Sequence, residues 1–179
     1  MTTVRVATEA DADAVAAIYA PCVAGTAISF EEEPPSPTEM ARRIAHCLRT
    51  HPFLVYDAGQ GVIGYAYAGP HAARPAYRWS CDVSAYVASG QARRGVGRAL
   101  YGELLNILKA QGFHSAFAGV ALPNEASVGL HEAMGFRHLG TYREVGFKHG
   151  LWHDVGWWRL GLVEGPPAAE PCPLPALIW

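Results

Sequence analysis

The sequence predicts a single α/β (α+β) domain in which helices flank a β-sheet. Segments with alternating hydrophobic residues, typical of strands, are interleaved along the chain with segments that carry a helical hydrophobic stripe. With 179 residues and 50% hydrophobic content, the chain can form one core of ordinary size. We expect the domain to span residues 1–164. The proline-rich tail at 165–179 should lack regular structure and be either disordered or laid against a neighbouring surface.

The first half of the chain predicts a strand, two helices and a hairpin. Thr8 and Asp11 form the pattern of a capping box at the start of the first helix, and Ser36 followed by Pro37 marks the start of the second. A turn-forming segment at 57–61 separates two apolar runs, as in an antiparallel hairpin. The expected elements are a strand at 4–7, a helix that includes 12–22, a helix to about Arg49, and strands at 53–56 and 62–68.

The second half predicts a strand, a glycine-rich turn and a long helix, then a strand, a helix and two aromatic-rich strands. Between Ser80 and Val87 the hydrophobic residues alternate, so Asp82 shares a face with hydroxyl side chains. A hydrophobic stripe begins at Val96, and Gly112 closes that helix. The remaining elements are expected at 115–121, about 124–134, around 142–148 and around 155–162.

The glycine-rich turn suits a phosphate group. Gly95 and Gly97 let several backbone N–H groups converge at the start of a helix, where the helix dipole is positive. Three arginines add positive charge around it, namely Arg93, Arg94 and Arg98. The turn alone is equally consistent with a helix start whose glycines permit close packing. It is neither a Rossmann fingerprint, which needs a third glycine, nor a P-loop, which needs Gly-Lys-Ser or Gly-Lys-Thr.

Charge and cysteine content exclude several classes of protein. A formal net charge of -2 and a pI near 6.4 argue against nucleic-acid and anionic-membrane partners. The sequence has no apolar run of membrane-spanning length and no signal-peptide pattern, so we expect a cytoplasmic protein. Four cysteines without ligand spacing indicate reduced thiols, at positions Cys22, Cys47, Cys81 and Cys172. We predict no metal site, because Gly150 and a hairpin context separate His149 from His153.

Several motifs together resemble one family. A strand ending in Tyr86-Val87, the glycine turn, a helix start at Asn124-x-Ala126 and a closing Met134-Gly135-Phe136 occur in the order of the GNAT superfamily of N-acetyltransferases. Over roughly residues 4 to 163 the chain resembles the phosphinothricin and methionine sulfoximine acetyltransferase branch of that superfamily. The runs that carry this resemblance are Thr26–Phe30, Ala66–Pro70, Arg74–Tyr77, Leu122–Asn124, Val128–Phe136, Gly146–Gly150 and Trp152–Gly156.

The resemblance implies a mixed, mostly antiparallel sheet that splays between its fourth and fifth strands, about 80–87 and 115–121. Acetyl-CoA would be the co-substrate, with its pantetheine arm in the opening. The backbone of Ala85, Tyr86 and Val87 would pair with the pantetheine amides and polarise the thioester carbonyl. The N–H groups of the turn would hold the pyrophosphate and Asn124 would anchor the arm. The turn residues concerned are Arg93, Arg94, Gly95, Val96, Gly97 and Arg98.

Two side chains are candidates for proton transfer. A substrate amine is mostly protonated at neutral pH, so a base must take its proton, and Asp82 stands where the branch usually carries glutamate. The alternative is that Asp82 is a surface carboxylate on an edge strand. His131 lies seven residues after Asn124, where many relatives carry a tyrosine thought to protonate the departing thiolate. Its role as acid, base or packing residue stays open.

The resemblance also points to a substrate pocket made by Phe30, Arg74 and Tyr77. The Arg74 guanidinium could bind a carboxylate or phosphinate. The alternative interpretation of Arg74 is an ordinary loop arginine that reaches solvent. One departure from the family pattern is Ala92, where the turn normally carries Gln or Arg, although a backbone cradle would survive this change. We expect the aromatic cluster of the last strands to serve as core and interface rather than as a binding platform, with Trp152, Trp157 and Trp158 as its members.

The expected function is therefore acetyl transfer to the amino group of a small amino-acid-like substrate, with a homodimer implied by the resemblance. Two other functions stay open. One is a protein or peptide N-acetyltransferase, for which the acidic run at 31–33 could form a rim. The other is a domain that binds acyl-CoA and a partner protein without turnover.

Overall fold

The computed structural model describes residues 2–167 and 169–176, and it contains the expected elements in the expected order. The strands are β1 (Thr3–Val6), β2 (Phe53–Asp57), β3 (Val62–Pro70), β4 (Ser80–Val87), β5 (Ser115–Leu122), β6 (Arg137–Lys148) and β7 (Leu151–Gly161). The helices are α1 (Ala12–Gly25), α2 (Pro37–Cys47), α3 (Val96–Gln111) and α4 (Glu125–Ala133). Short 3-10 turns lie at Glu9–Asp11, Pro75–Tyr77 and Leu174–Ala176. Within the described residues, no helix has the length and apolar character needed to cross a membrane.

The helix starts follow the capping patterns of the sequence. The Thr8 backbone N–H donates to the Asp11 carboxylate over 2.8 Å, and this capping box begins the 3-10 turn that leads into α1. The Ser36 hydroxyl accepts from the Glu39 backbone N–H over 3.1 Å at the start of α2. This helix ends two residues before the expected Arg49, because the chain turns from Leu48 onward.

The sheet has seven strands in the order β1-β2-β3-β4-β5-β7-β6. Every neighbouring pair is antiparallel except β4 and β5, which run parallel. These two strands pair only at Ser80–Asp82 against Ser115–Phe117 and then separate. The expected mixed sheet with a splay between its fourth and fifth strands is confirmed.

Helices cover both faces of the sheet and create two hydrophobic clusters. On one face α3 buries a stripe that includes Leu100, Leu104 and Leu108. On the other face α1 and α2 bury Val15 and Ile44 among their core residues. The stripe spacing of three and four residues in the sequence matches these contacts.

The tail lies against the domain's own surface. Leu174 is only 1% exposed. The Cys172 backbone N–H donates to the Gln111 carbonyl over 2.7 Å, and the Gln111 amide donates back to the Cys172 carbonyl over 2.7 Å. The Trp79 indole N–H donates to the Ala169 carbonyl over 2.9 Å. The tail therefore joins the end of α3 to the segment before β4. The domain boundary at residue 164 stays a prediction, and the last three positions of the predicted tail, 177–179, lie outside the described residues.

Candidate active site

The opening between β4 and β5 presents two free backbone edges. Beyond Asp82 and Phe117 the facing edges have no strand partner in the described chain, while the outer edges pair with β3 and β7. Ala85, Tyr86 and Val87 lie on the free stretch of β4. Unpaired backbone N–H and C=O groups need partners, so the opening can hold an extended ligand that carries amide groups.

The glycine turn stands at one end of this opening. Gly95 has φ 81° and caps α3, and Arg93 also has a positive φ, 62°. Val96 is buried in the core and anchors the turn to it. Gly97 approaches Leu130 closely, since a Cβ at this position would lie only 3.0 Å from the Leu130 side chain. The first N–H groups of α3 have no acceptor within the helix, and three exposed arginines, Arg93, Arg94 and Arg98, lie in or next to this turn in the sequence. The turn therefore offers hydrogen-bond donors and positive charge to an anion.

Asn124 caps α4, directly after β5. Its side-chain oxygen accepts from the Ser127 backbone N–H over 3.1 Å. The oxygen is therefore engaged in the cap, and the amide NH2 is the group that could donate to a ligand in the opening.

Asp82 is paired with a histidine that the sequence analysis missed. The Asp82 Oδ1 and His71 Nδ1 atoms lie 2.6 Å apart. Burial raises the pKa of Asp82, and the hydrogen bond from His71 opposes that shift. No periodicity marks His71. The hairpin register is the only signal that could have found it, because Gly69 lies opposite Asp82 and His71 follows two residues later.

His131 lies in the core instead of facing open space, with only 5% of its surface exposed. Its Nε2 is 2.8 Å from the Tyr101 hydroxyl, and its Nδ1 is 2.7 Å from the Ser127 carbonyl. The carbonyl can only accept, so Nδ1 donates and Nε2 accepts from Tyr101. Burial also lowers the pKa of His131, which favours the neutral imidazole at pH 7. Both observations favour packing over proton donation to a thiolate.

The three substrate-pocket candidates do not line one cavity. Arg74 and Tyr77 line a cavity of about 260 Å³ together with tail residues 170–173. Phe30 packs elsewhere, against Gly146 and with its ring centre 6.1 Å from that of His153. Phe30 therefore lies apart from the cavity of Arg74 and Tyr77, and the role of these three residues in substrate binding stays a prediction.

Lys148 binds the loop that precedes Phe30. Its buried ammonium donates to the Ser29 carbonyl over 2.7 Å and to the Val23 carbonyl over 2.6 Å, which fastens the loop after α1 to β6.

A second cavity, about 680 Å³, lies between α2 and β3 beside the Arg74 cavity. The two cavities share Thr50, His51 and Pro70.

The acidic run after Phe30 is not an open rim along its whole length. Glu31 accepts from Arg43 at both carboxylate oxygens, over 2.7 and 3.0 Å, and from the Tyr19 hydroxyl over 2.9 Å. The Arg43 hydrogen bonds lower the pKa of Glu31. Glu31 therefore joins the loop to α2, and its negative charge is balanced by the positive charge of Arg43.

Comparison with known proteins identifies relatives across nearly the whole chain. The Acetyltransferase (GNAT) domain family matches residues 4–157. The chain is 42% identical over 165 residues to a phosphinothricin N-acetyltransferase of Streptomyces viridochromogenes, covering 92% of this chain and 90% of that protein. It is 34% identical over 164 residues to an L-methionine sulfoximine/L-methionine sulfone acetyltransferase of Pseudomonas aeruginosa, covering 89% and 94%.

A solved structure matches the fold equally well. It is a GNAT superfamily phosphinothricin acetyltransferase from Sinorhizobium meliloti in complex with AcCoA, with a TM-score of 0.88 and 36% identity. The match covers 95% of this chain and 92% of that one. The chain belongs to the GNAT acetyltransferase family and is an acetyl-CoA-dependent N-acetyltransferase.

Proposed function

We propose that this enzyme acetylates the amino group of a small amino-acid-like substrate of the phosphinothricin, methionine sulfoximine or methionine sulfone type. The observation that carries this proposal is the opening at β4 and β5, which has free backbone edges along its length and an acidic side chain at its closed end. The relatives named for those substrates match this chain over about nine tenths of its length. The amine would attack acetyl-CoA directly, with both substrates bound at once.

The free stretch of β4 is the place for the pantetheine arm in this proposal. The backbone of Ala85, Tyr86 and Val87 would pair with its amides, and an N–H aimed at the thioester oxygen would stabilise the charge that develops there. The turn at 93–98 would bind the pyrophosphate, and the Asn124 amide would donate to the arm. The order of these groups along the opening follows the chemical order of the cofactor.

Asp82 supplies the carboxylate of the basic site, acting on the amine directly, through a water or through its partner His71. The raised pKa of this carboxyl makes it a better base than a fully solvated aspartate. Its location where β4 and β5 separate is the closed end of the opening, so an amine bound there would be near the thioester.

Arg74 and Tyr77 are the substrate-side groups. The Arg74 side chain is exposed and forms no ion pair with any described residue, so its guanidinium is available for a carboxylate or phosphinate. Phe30 is the third proposed substrate-side group, on the loop that Lys148 holds against β6. The engagement of Glu31 by Arg43 weighs against an acidic groove for a peptide substrate.

We also propose a homodimer and a cytoplasmic location. The last two strands expose a group of large apolar side chains, Leu139, Tyr142, Val145, Phe147, Leu151 and Trp152. A second copy could cover this surface. Trp152→Glu should then shift the protein toward monomer in equilibrium sedimentation, with Val163→Glu, at another exposed apolar residue, as the matched control. A wild-type protein that is monomeric at micromolar concentration would exclude the dimer.

The cytoplasmic location is supported by the cysteines. All four are free thiols, in keeping with a reducing compartment.

The proposed activity is tested by release of free thiol from acetyl-CoA. The panel of amines should contain phosphinothricin, methionine sulfoximine, methionine sulfone, common amino acids, polyamines and one lysine peptide. Turnover confined to the methionine-like acids is expected. Turnover of the peptide alone would instead support protein acetylation, and binding of acetyl-CoA without any product would support the non-catalytic role.

A further inference from the structure

His71 and Asp82 meet at the point where β4 and β5 separate. The register places Asp82 opposite Gly69 of β3 and Phe117 of β5, at the last paired position of the two parallel strands. His71 follows β3, and its Nδ1 lies 2.6 Å from Asp82 Oδ1. The pair therefore stands at the closed end of the proposed acetyl-CoA site.

Three aromatic rings fix the orientation of the His71 ring. The Phe117 ring stacks on it with centres 4.4 Å apart, and the Trp157 ring meets it edge to face with centres 5.9 Å apart. The Tyr77 ring, from the proposed substrate cavity, lies 6.1 Å away. The side chains of His71 and Asp82 remain 24% and 37% exposed. The rings therefore hold the pair in place while leaving it accessible to a substrate.

The hydrogen bond to Asp82 also fixes the tautomer of His71. An ionised carboxylate only accepts, so Nδ1 carries the hydrogen, and in the neutral ring Nε2 has the lone pair. Among the described residues no group forms a hydrogen bond with Nε2. Asp82 is likewise the only charged group of the described chain that forms an ion pair with His71, and Tyr77 is the only other titratable ring in contact with it.

We infer that His71 Nε2 is the atom that takes the proton from the substrate amine, and that Asp82 is its positioning residue. This inference rests on the proposed function and assigns the base within it. Asp82 already shares one carboxylate oxygen with His71, whereas Nε2 is an acceptor held in place and unpartnered in the described chain. The arrangement matches the general pattern of a base oriented by a carboxylate.

The resulting proton transfer is balanced without any other group. The ammonium form of the substrate first loses one proton to the solvent, and the lone pair of the neutral amine then attacks the thioester carbonyl carbon. This attack gives a tetrahedral adduct with positive nitrogen and negative oxygen. Nε2 removes one proton from that nitrogen. When the C–S bond breaks, its electron pair leaves with sulfur, and the CoA thiolate takes the proton back from the imidazolium. The products are the N-acetylated substrate and free CoA, and His71 is neutral again.

His71→Asn is the most informative variant. Its side-chain amide N–H can still donate to Asp82, but the variant has no atom at the Nε2 position. We expect kcat at pH 7 to fall about 100-fold or more, as for loss of a general base, while KM for acetyl-CoA stays within about twofold. The deficit should shrink as the pH is raised, because hydroxide can then remove the proton from the adduct nitrogen in place of Nε2. His46→Gln, at an exposed histidine of α2, is the matched control and should retain wild-type kcat.

A second measurement needs no substrate. Nitrogen-15 NMR of the histidine rings should give the Nδ1–H tautomer for His71 in the wild-type protein and a mixture of tautomers in Asp82→Asn, with the His71→Asn spectrum providing the assignment. An Nε2–H tautomer in the wild type would overturn the inference, because Nε2 would then lack its lone pair.

The outcomes separate this inference from the function on which it rests. If the wild type acetylates an amine while His71→Asn keeps kcat within about threefold, His71 is not the base and only this inference fails. If the wild type acetylates no amine, the proposed function fails and the base role fails with it.

Discussion

Replacing Lys148 by methionine should loosen the connection between the loop after α1 and strand β6. Lys148 is only 6% exposed, and its ammonium donates to the carbonyls of Val23 and Ser29. Val23 belongs to the last turn of α1, where carbonyl groups lack helical partners and the helix dipole is negative. Methionine has a similar volume, so the substitution removes the hydrogen bonds and leaves the packing largely unchanged.

The expected cost follows from these two bonds. A hydrogen bond from a charged donor contributes about 1.5 to 3 kcal/mol, and the recovered desolvation of the ammonium offsets part of the sum. We therefore expect Lys148→Met to lower the free energy of unfolding by about 3 kcal/mol. For a domain of this size that corresponds to a fall in Tm of roughly 6 to 12 °C.

Urea unfolding followed by circular dichroism measures this change. The chain's other lysine, Lys109, is exposed on α3, and Lys109→Met should change the free energy of unfolding by less than about 0.5 kcal/mol. Equal unfolding free energies for Lys148→Met and the wild type would refute the reasoning, since the two hydrogen bonds would then only balance the cost of burying the charge.

Two further predictions concern acid stability and cofactor affinity. The Arg5 hydrogen bond lowers the pKa of Asp11, so the stability that Asp11 contributes is present above its unfolded pKa of about 4 and is lost as the pH falls through the lower folded value. Asp11→Asn should therefore flatten the loss of unfolding free energy between pH 5 and 3 in urea titrations, and an unchanged slope would contradict this. The second prediction concerns the turn arginines Arg93, Arg94 and Arg98. Their replacement by alanine should weaken acetyl-CoA binding, measured by calorimetry, by roughly 10- to 100-fold, and by more at low salt. An unchanged Kd would remove the turn from the binding site.

Elements with an uninterrupted pattern were predicted well from the sequence. The alternation from Ser80 to Val87 gave the bounds of β4, and the stripe closed by Gly112 gave α3 to the residue. Strand β6 begins at Arg137, five residues before the expected 142, because its register shifts twice and the alternation of buried and exposed residues is lost.

Residues of the candidate site could be found from the sequence only where they lie in such elements. Asp82 and the glycine turn could be found because β4 and α3 place them. His71 lies in an irregular segment, and only the pairing of β3 with β4 brings it to Asp82. The residue before Phe30 is bound by a lysine far along the chain, since Lys148 donates to the Ser29 carbonyl. Contacts of this kind are absent from local sequence patterns.

The three-residue pairing of β4 with β5 has a consequence for how the sheet responds to its cofactor. An extended ligand between the two free edges would act as an additional strand and join the two halves of the sheet. Binding would then slow amide hydrogen exchange along residues 83–87 and 118–122 together, because both stretches would gain partners in one event. At a ligand concentration of 100 times Kd, the whole domain would gain about 2.7 kcal/mol of stability. The enzyme would therefore be more rigid with its cofactor bound than without it.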